Sequence, residues 1–576
     1  MTDDRNRSHW STSKTPSYTK SVSWQHHPLY DSYIRAIRWA SDRIGEKGVI
    51  GFVTNGSYID SNSADGLRKC LTEEFSSLYF FHLRGNQRTS GEKSRQEGGK
   101  IFGSGSRAPI VISILVKNPN VQAHGQIYFH DIGDYLSREE KLEKVSEFNS
   151  VNGITKINGW QLIEPDKHND WLNQRDERFN YFIEMGNKKD KDSVCIFSTY
   201  SRGVATSRDA WVYNFSAKKL IENVSEMIVY YNFQVNEKKK DPEFKEIIDT
   251  TRISWNRSLL NDFNKLKNHS FDKNCIYKSV YRPFNKSNLY FSRALNDMVY
   301  QMPQLFPTAD SDNLVIYING SGNGGKPFSA LIVNAIPDLN MQHSGGQGFP
   351  LYYYEKSSSD EVVKEYKRKE AISDAGLFYF KDFYSTESIS KEDVFNYVYG
   401  LLHSEDYRGR YADNLSKELP RIPCVKKYDD FVIFSQAGRD LAFWHLNFEE
   451  VEPYKATIDS GNLNYSQLPK EDFYVEKMKF AKKADKSTVI YKNKIRIKNI
   501  PSEAYDYVVN GKPALEWVME RQGVLTHKDS GIVNDANDWA MEAMGNAKYP
   551  LELFLRVITV SLETQKIVKG LPKLDI

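Results

Sequence analysis

The stretch LYDSYIRAIRWASDRIGEKGVIGFVT, residues 29–54, decides how the beginning of the chain is read. Tyr30, Tyr33, Ile34, Ile37, Ala40 and Ile44 recur at helical spacing, which makes one apolar face, and Gly45 supplies a stop. GVIGFVT then follows as an apolar run too short for a helix, and reads as a short buried strand. SADGLRKCLTEEF (63–75) has the look of a second helix, while SSLYFFHLR (76–84) and APIVISILVKN (108–118) read as strands. Helix and strand alternate, so the expectation is an α/β sheet with helices on its faces.

The last two strands are joined by GNQRTSGEKSRQEGGKIFGSGSR, residues 85–107, too long and too Gly-rich for a mere connector. From Arg84 to Arg107 it carries Arg84, Arg88, Lys93, Arg95, Lys100 and Arg107 against Glu92 and Glu97, a local excess of 6 − 2 = +4. Charge runs are usually solvated surface. Basic residues set among Gly, Ser, Asn and Gln at a strand edge also suit contacts to phosphates and bases.

The bulk numbers narrow the class. A chain of 576 residues calls for two to four domains, and 40% apolar with 13% aromatic residues can build sizeable cores. Net charge is only +3, so a nucleic-acid partner must be held by local basic patches. The N-terminus has no apolar signal segment, and no run approaches the ~18 residues of a membrane span. Cys70, Cys195, Cys275 and Cys424 are scattered, which suits a reducing cytoplasm. His26 and His27 are adjacent and lack the i,i+4 spacing of helix-borne metal ligands, so no metal site is expected.

Beyond residue 120, Lys-rich segments separate short aromatic and β-branched runs, a mixed α+β texture. TYSRGVATSRDAW (199–211) presents Arg202 and Arg208 in a Gly/Ser/Thr loop. YRPFNKSNLYF (281–291) sets Arg282, Asn285 and Lys286 around a Pro-fixed turn between Tyr281 and Phe284. Arg reads guanine and Asn or Gln reads adenine, so these are candidate DNA contacts, with Arg408 and Arg410 behind them. The bland reading of Tyr281 and Phe284 is a packed structural turn. In NLVIYINGSGNGGKPFSALI (313–332), Gly320, Gly325 and Lys326 keep the spacing of a phosphate-binding loop. Pro327 stands where that loop needs Ser or Thr, so a nucleotide hydrolase using 320–326, with Asp338 for magnesium, is the weaker reading.

Together, LYDSYIRAIRWASDRI, GVIGFVTNGSYID, LRGNQRTSGE, GGKIFGSGSRAPI, YRPFNKSNLYF, MVYQMP and FPLYYYE make the chain resemble the C-terminal part of type ISP restriction–modification enzymes. Those are single polypeptides joining a nuclease, a helicase-like ATPase, an adenine-N6 DNA methyltransferase and a target-recognition domain. Residues 1–28 are polar, rich in Ser and Thr and without periodicity, and read as a disordered tail; the resemblance implies the second half of a methyltransferase-like α/β domain, a partial Rossmann-like sheet, over 29–120. It further implies a mixed α+β target-recognition domain over 121–450 and a C-terminal α+β subdomain over 451–576.

The implied function is recognition of a specific double-stranded DNA sequence. Phe102 falls at the family position whose aromatic packs against an extruded adenine, with Lys100 and Arg107 beside it. The sequence contains no Asn-Pro-Pro-Tyr/Phe tetrapeptide and no Gly-rich S-adenosylmethionine loop after an N-terminal strand. The expectation is therefore that this chain alone binds no cofactor and has no catalytic residue of its own. The alternative is a split methyltransferase, binding S-adenosylmethionine once an N-terminal methyltransferase, helicase or nuclease polypeptide completes it.

Overall fold

A computed structural model of the chain describes residues 30–89, 91–103, 107–190, 192–320, 326–343, 345–356, 366–461, 464–482, 485–492 and 494–576. The polar segment 1–28, His26 and His27, and 321–325 of the Gly-rich stretch lie outside the described residues. The chain divides into two compact units, the first running through Asp176 and the bulk of the second beginning at Glu177.

In the first unit, helix α1 (Ser32–Ser41) buries Ile34 and Ile37, the face that the spacing predicts. It is followed by β1 (Gly48–Asn55), α2 (Asp65–Glu74), β2 (Ser77–His82), α3 (Gly91–Glu97) and β3 (Ile110–Lys117). Both β1 and β2 pair antiparallel with β3, so they run parallel to each other, with α2 in the crossover and β3 slotted between them. β4 (Gln126–Asp131) adds parallel to β2, and β5 (Gln161–Ile163) antiparallel to β4, giving a mixed sheet of order β1-β3-β2-β4-β5.

The first unit reaches past the expected limit at residue 120. Arg68, fully buried, donates to the carbonyls of Tyr58 (3.1 Å), Ser61 (2.7 Å) and Asn169 (2.7 Å) and pairs with Asp170 at 2.9 Å. A buried guanidinium needs every one of those acceptors, so the segment around Asp170 is tied to α2. β1 differs from the buried strand expected of it: Val49 is 65% and Val53 55% exposed. It is an edge strand with β3 as its partner, and its apolar outer face is bare among the described residues.

In the second unit, β6 (Ser201–Arg202), β7 (Val315–Ile318), β8 (Ala330–Val333) and β9 (Gln347–Pro350) form an antiparallel sheet of order β8-β7-β9-β6. The Gly-rich link thus returns the chain as an antiparallel strand. A phosphate-binding loop would open a helix there, and none follows Lys326. A second sheet is built on the hairpin Ile276–Arg282 and Asn285–Tyr290. The third sheet comprises β10 (Thr457–Asp459), β11 (Lys479–Lys482), β12 (Asp485–Lys492) and β13 (Ile495–Lys498).

One core cluster joins Tyr213, Met227 and Tyr317 to Val489, Trp517 and Phe554, so residues past 451 share a core with the middle of the unit. A second cluster is organised by helices α5 (Lys391–Leu401) and α6 (Tyr428–Leu446). These cross backbone to backbone: a Cβ on Gly400 would sit 2.1 Å from the Phe434 carbonyl oxygen, and one on Gly438 1.9 Å from that of Asn396. Helix α7 (Tyr549–Lys569) closes the chain. Among the described residues no helix is long and apolar enough to cross a membrane.

Candidate nucleic-acid interface

The basic loop of the first unit is held from beneath by cations outside it. Helix α4 (Arg138–Phe148), capped by Ser137 and Glu140, carries Lys141, whose ammonium donates to the carbonyls of Glu97 (2.6 Å) and Gly99 (2.8 Å). Arg138 Nε donates to the Ile101 carbonyl at 2.8 Å. Within the loop, the Glu97 carboxylate accepts the Asn86 N–H at 2.9 Å, and Gly85 N–H reaches the Glu97 carbonyl. Helix α3 lies inside what reads in the sequence as continuous loop.

Arg84 belongs to this scaffold and not to its surface. Its backbone sits at φ 54°, and its guanidinium grips Asp131 at 2.7 Å together with Asp134. Burial alone would raise the Asp131 carboxyl, but hydrogen bonds from His82, the Gly133 N–H and Arg84 hold it down at about 2. Arg88, Lys100, Phe102 and Arg107 all turn outward, with Phe102 47% exposed. Phe102 is thus an exposed ring that stands in the chain between two exposed cations.

In the second unit, Arg202 is exposed on the edge strand β6 and is the direct cross-strand partner of Gln347 on β9. Facing residues of antiparallel strands stand with Cβ atoms about 5 Å apart, so one base pair or two neighbours can meet both side chains. Tyr200 stacks on Phe349 (centroids 5.0 Å, 17°) and carries the Lys188 ammonium 4.2 Å above its ring. Burial and the Arg202 charge both push the Lys188 pKa down. The sequence nominates Arg202 but not the Gln347, Lys188 and Tyr200 that the fold sets around it; the sign of Gln347 is only a four-residue strand behind a Gly pair.

The other candidates of the second unit are engaged inside it. Arg282 pairs with Asp338 at 2.6 Å and lies over the Tyr281 ring. Burial pushes the Asp338 carboxyl up to about 6, although Arg282 opposes it, so this carboxylate is in no position to meet a magnesium ion in solvent. Lys286 pairs with Glu449 at 2.8 Å against the Phe448 ring, and Asn285 accepts from Gln522. Tyr281 and Phe284 pack in the core, as the structural-turn reading expects.

Arg208 is 4% exposed, and its guanidinium nitrogens have no hydrogen-bond partner among the described residues. Burial pulls its pKa down to about 10, against the attraction of Asp297. Arg408 is half-buried and donates to the Leu402 carbonyl, while Arg410 is held by Asp406 and the Leu574 carbonyl. The candidates that are exposed and have no ion pair among the described residues are therefore Arg88, Lys100, Phe102 and Arg107 in one unit and Arg202 in the other; Arg410 is exposed but paired with Asp406.

Residues 195–553 match the family described as the Type ISP C-terminal specificity domain. No curated protein matches the chain. Among solved structures it is similar to a nuclease-deletion mutant of the Type ISP restriction–modification enzyme LlaGI in complex with a DNA substrate mimic, at 40% identity and TM-score 0.81 over 97% of this chain and 42% of that one. It is similar to the ATP-dependent Type ISP enzyme LlaBIII bound to DNA, at 38% identity and TM-score 0.81 over 95% of this chain and 34% of that one. A third is the DrdV–DNA complex, at 32% identity and TM-score 0.78 over 97% of this chain and 54% of that one. The chain thus spans between about a third and about half of the length of these structures.

Proposed function

Because the chain belongs to the type ISP restriction–modification family, whose C-terminal specificity domain fills residues 195–553, we propose that it recognises a specific duplex DNA sequence as the specificity part of such a system. The relatives similar to it are DNA complexes, which supports duplex DNA as the partner. The observation that carries the reading is Arg202 exposed beside Gln347 on a sheet edge within that domain. Arg forks onto guanine O6 and N7, and Gln onto adenine N6 and N7, so the pair is suited to reading a G and an A. The loop residues Arg88, Lys100 and Arg107 would hold phosphates, and Phe102 would stack on the target base.

The first unit supports descent from a methyltransferase sheet through its parallel β1 and β2 with a helical crossover. The turn after β1 is closed on itself, with the Asn55 side chain accepting the Ser57 N–H at 2.9 Å and Tyr58 buried, so no glycine cradle opens at that strand end. No methyl-transfer step is assigned to this chain alone. The second reading, a split enzyme, is favoured by one observation: the open edge and bare apolar face of β1. Selection from random duplex DNA, run with and without S-adenosylmethionine, tests both statements. Enrichment of one motif is expected; enrichment of none overturns the recognition reading, and cofactor-dependent methylation by this chain overturns its catalytic incompleteness.

A further inference from the structure

The segment 476–500 contains nine Lys and Arg residues (477, 479, 482, 483, 486, 492, 494, 496, 498) and two acids (476, 485), a net 9 − 2 = +7. The whole chain carries +3, so everything else sums to 3 − 7 = −4. This positive charge is concentrated in one place, and the fold makes that place a surface. β11, β12 and β13 are antiparallel neighbours, with Val489, Tyr491, Ile495 and Ile497 on the inner face, each at most 1% exposed.

Alternation along the strands sends the cations the other way. Across the sheet, Asp459, Arg496, Ile490 and Lys479 stand in register on one row. Lys498 takes the Asp459 carboxylate at 2.7 Å and Lys486 takes Glu516, but Lys477, Lys479, Lys482, Lys494 and Arg496 are exposed and have no ion pair among the described residues. β11 and β13 are two strands apart, about 10 Å, which is of the order of a DNA groove's width.

We propose that this sheet face is a second DNA-contacting surface, which grips duplex phosphates without reading sequence. The inference rests on the recognition reading above and extends it. Charge complementarity points to a polyanion, and the inward aromatics select among polyanions. Tyr491 is buried and Phe480 lies under the Lys486 ammonium, so the face offers no ring for stacking single-stranded bases. No large apolar residue stands exposed on β11, β12 or β13 to enter a membrane interface. What it offers is point charges at the spacing of a sheet, which neutralise phosphates and release counterions.

The test is the salt dependence of binding to a duplex carrying the selected motif. The triple variant Lys479→Gln, Lys494→Gln, Arg496→Gln is compared with wild type and with a charge-conserving control, Lys479→Arg, Lys494→Arg, Arg496→Lys. Each lost phosphate contact lowers the slope of log K against log salt by about 0.9, so three lower it by about 2.7. Between about 50 and about 200 mM salt the wild type then loses about 40-fold more affinity than the triple variant. Motif preference and melting temperature are expected to stay unchanged, and the control to keep the wild-type slope. A triple variant with the wild-type slope, or one that binds anionic vesicles less but DNA equally, overturns the proposal. Wild type that binds no duplex at all overturns the recognition reading instead.

Discussion

His445 makes an acid-sensitive joint in the second unit, and its size can be worked out. The Tyr399 hydroxyl accepts the Ile332 N–H at 3.0 Å and lies 2.6 Å from His445 Nδ1. With its oxygen accepting that N–H, the phenol donates its O–H to Nδ1, which leaves the imidazole hydrogen on Nε2, facing Thr564 Oγ1 at 3.0 Å. The neutral ring is therefore satisfied on both sides, while the cation would put two protons into a site made for one. Burial, with Arg408 adding to it, pulls the His445 pKa down to about 3. A folded-state pKa below the unfolded value of about 6.5 means that the unfolded chain binds the extra proton, so stability is full above pH 6.5 and falls as pH drops toward 3.

The slope is about 1.4 kcal/mol per pH unit, so moving from pH 7 to pH 5 costs about 2 kcal/mol through His445. Urea unfolding of wild type and of His445→Gln at both pH values checks this. Gln keeps a neutral donor toward Thr564 and cannot take up the proton. The wild type should lose about 2 kcal/mol more than the variant over that interval. Equal losses, or an imidazole signal of His445 that titrates near 6.5 in the folded protein, would refute the reasoning.

Arg208→Met is expected to stabilise the protein by up to about 3 kcal/mol, because burial pulls the guanidinium down to about 10 from its ordinary value, with duplex affinity unchanged; a lower urea midpoint would contradict this. Arg202→Ala and Gln347→Ala should each cost about 1–3 kcal/mol on the selected motif and relax its preference at separate positions, read by competition with single-base variants. Gly438→Ala would gain about 1 kcal/mol in an ordinary helix. Here the 1.9 Å approach to the Asn396 carbonyl turns the sign, and a loss of about 1–3 kcal/mol in thermal or urea unfolding is expected.

The first unit was the legible part. Ile34 and Ile37 repeat at helix spacing, and β2 and β3 are apolar runs between polar breaks, so local pattern alone places them. The bareness of β1 was not legible, because an edge and a centre strand have the same residues, and what differs is the neighbour. Arg202 could be nominated from its Gly and Ser surroundings. Arg84, Arg282 and Lys286 looked equally eligible, but their partners are Asp131, Asp338 and Glu449, which the fold brings in from distant sequence. A cation's freedom is a tertiary property. The same limit hid Gln347, whose meaning comes from the strand opposite.

The bracing of the 84–107 loop has a consequence for how such proteins change over generations. Lys141 and Arg138 hold backbone carbonyls, groups that every residue possesses. The loop's path is thus set largely without regard to which side chains it displays. Arg88, Lys100, Phe102 and Arg107 can be exchanged singly with little cost to folding, so this element can drift toward new contacts while its frame stays put.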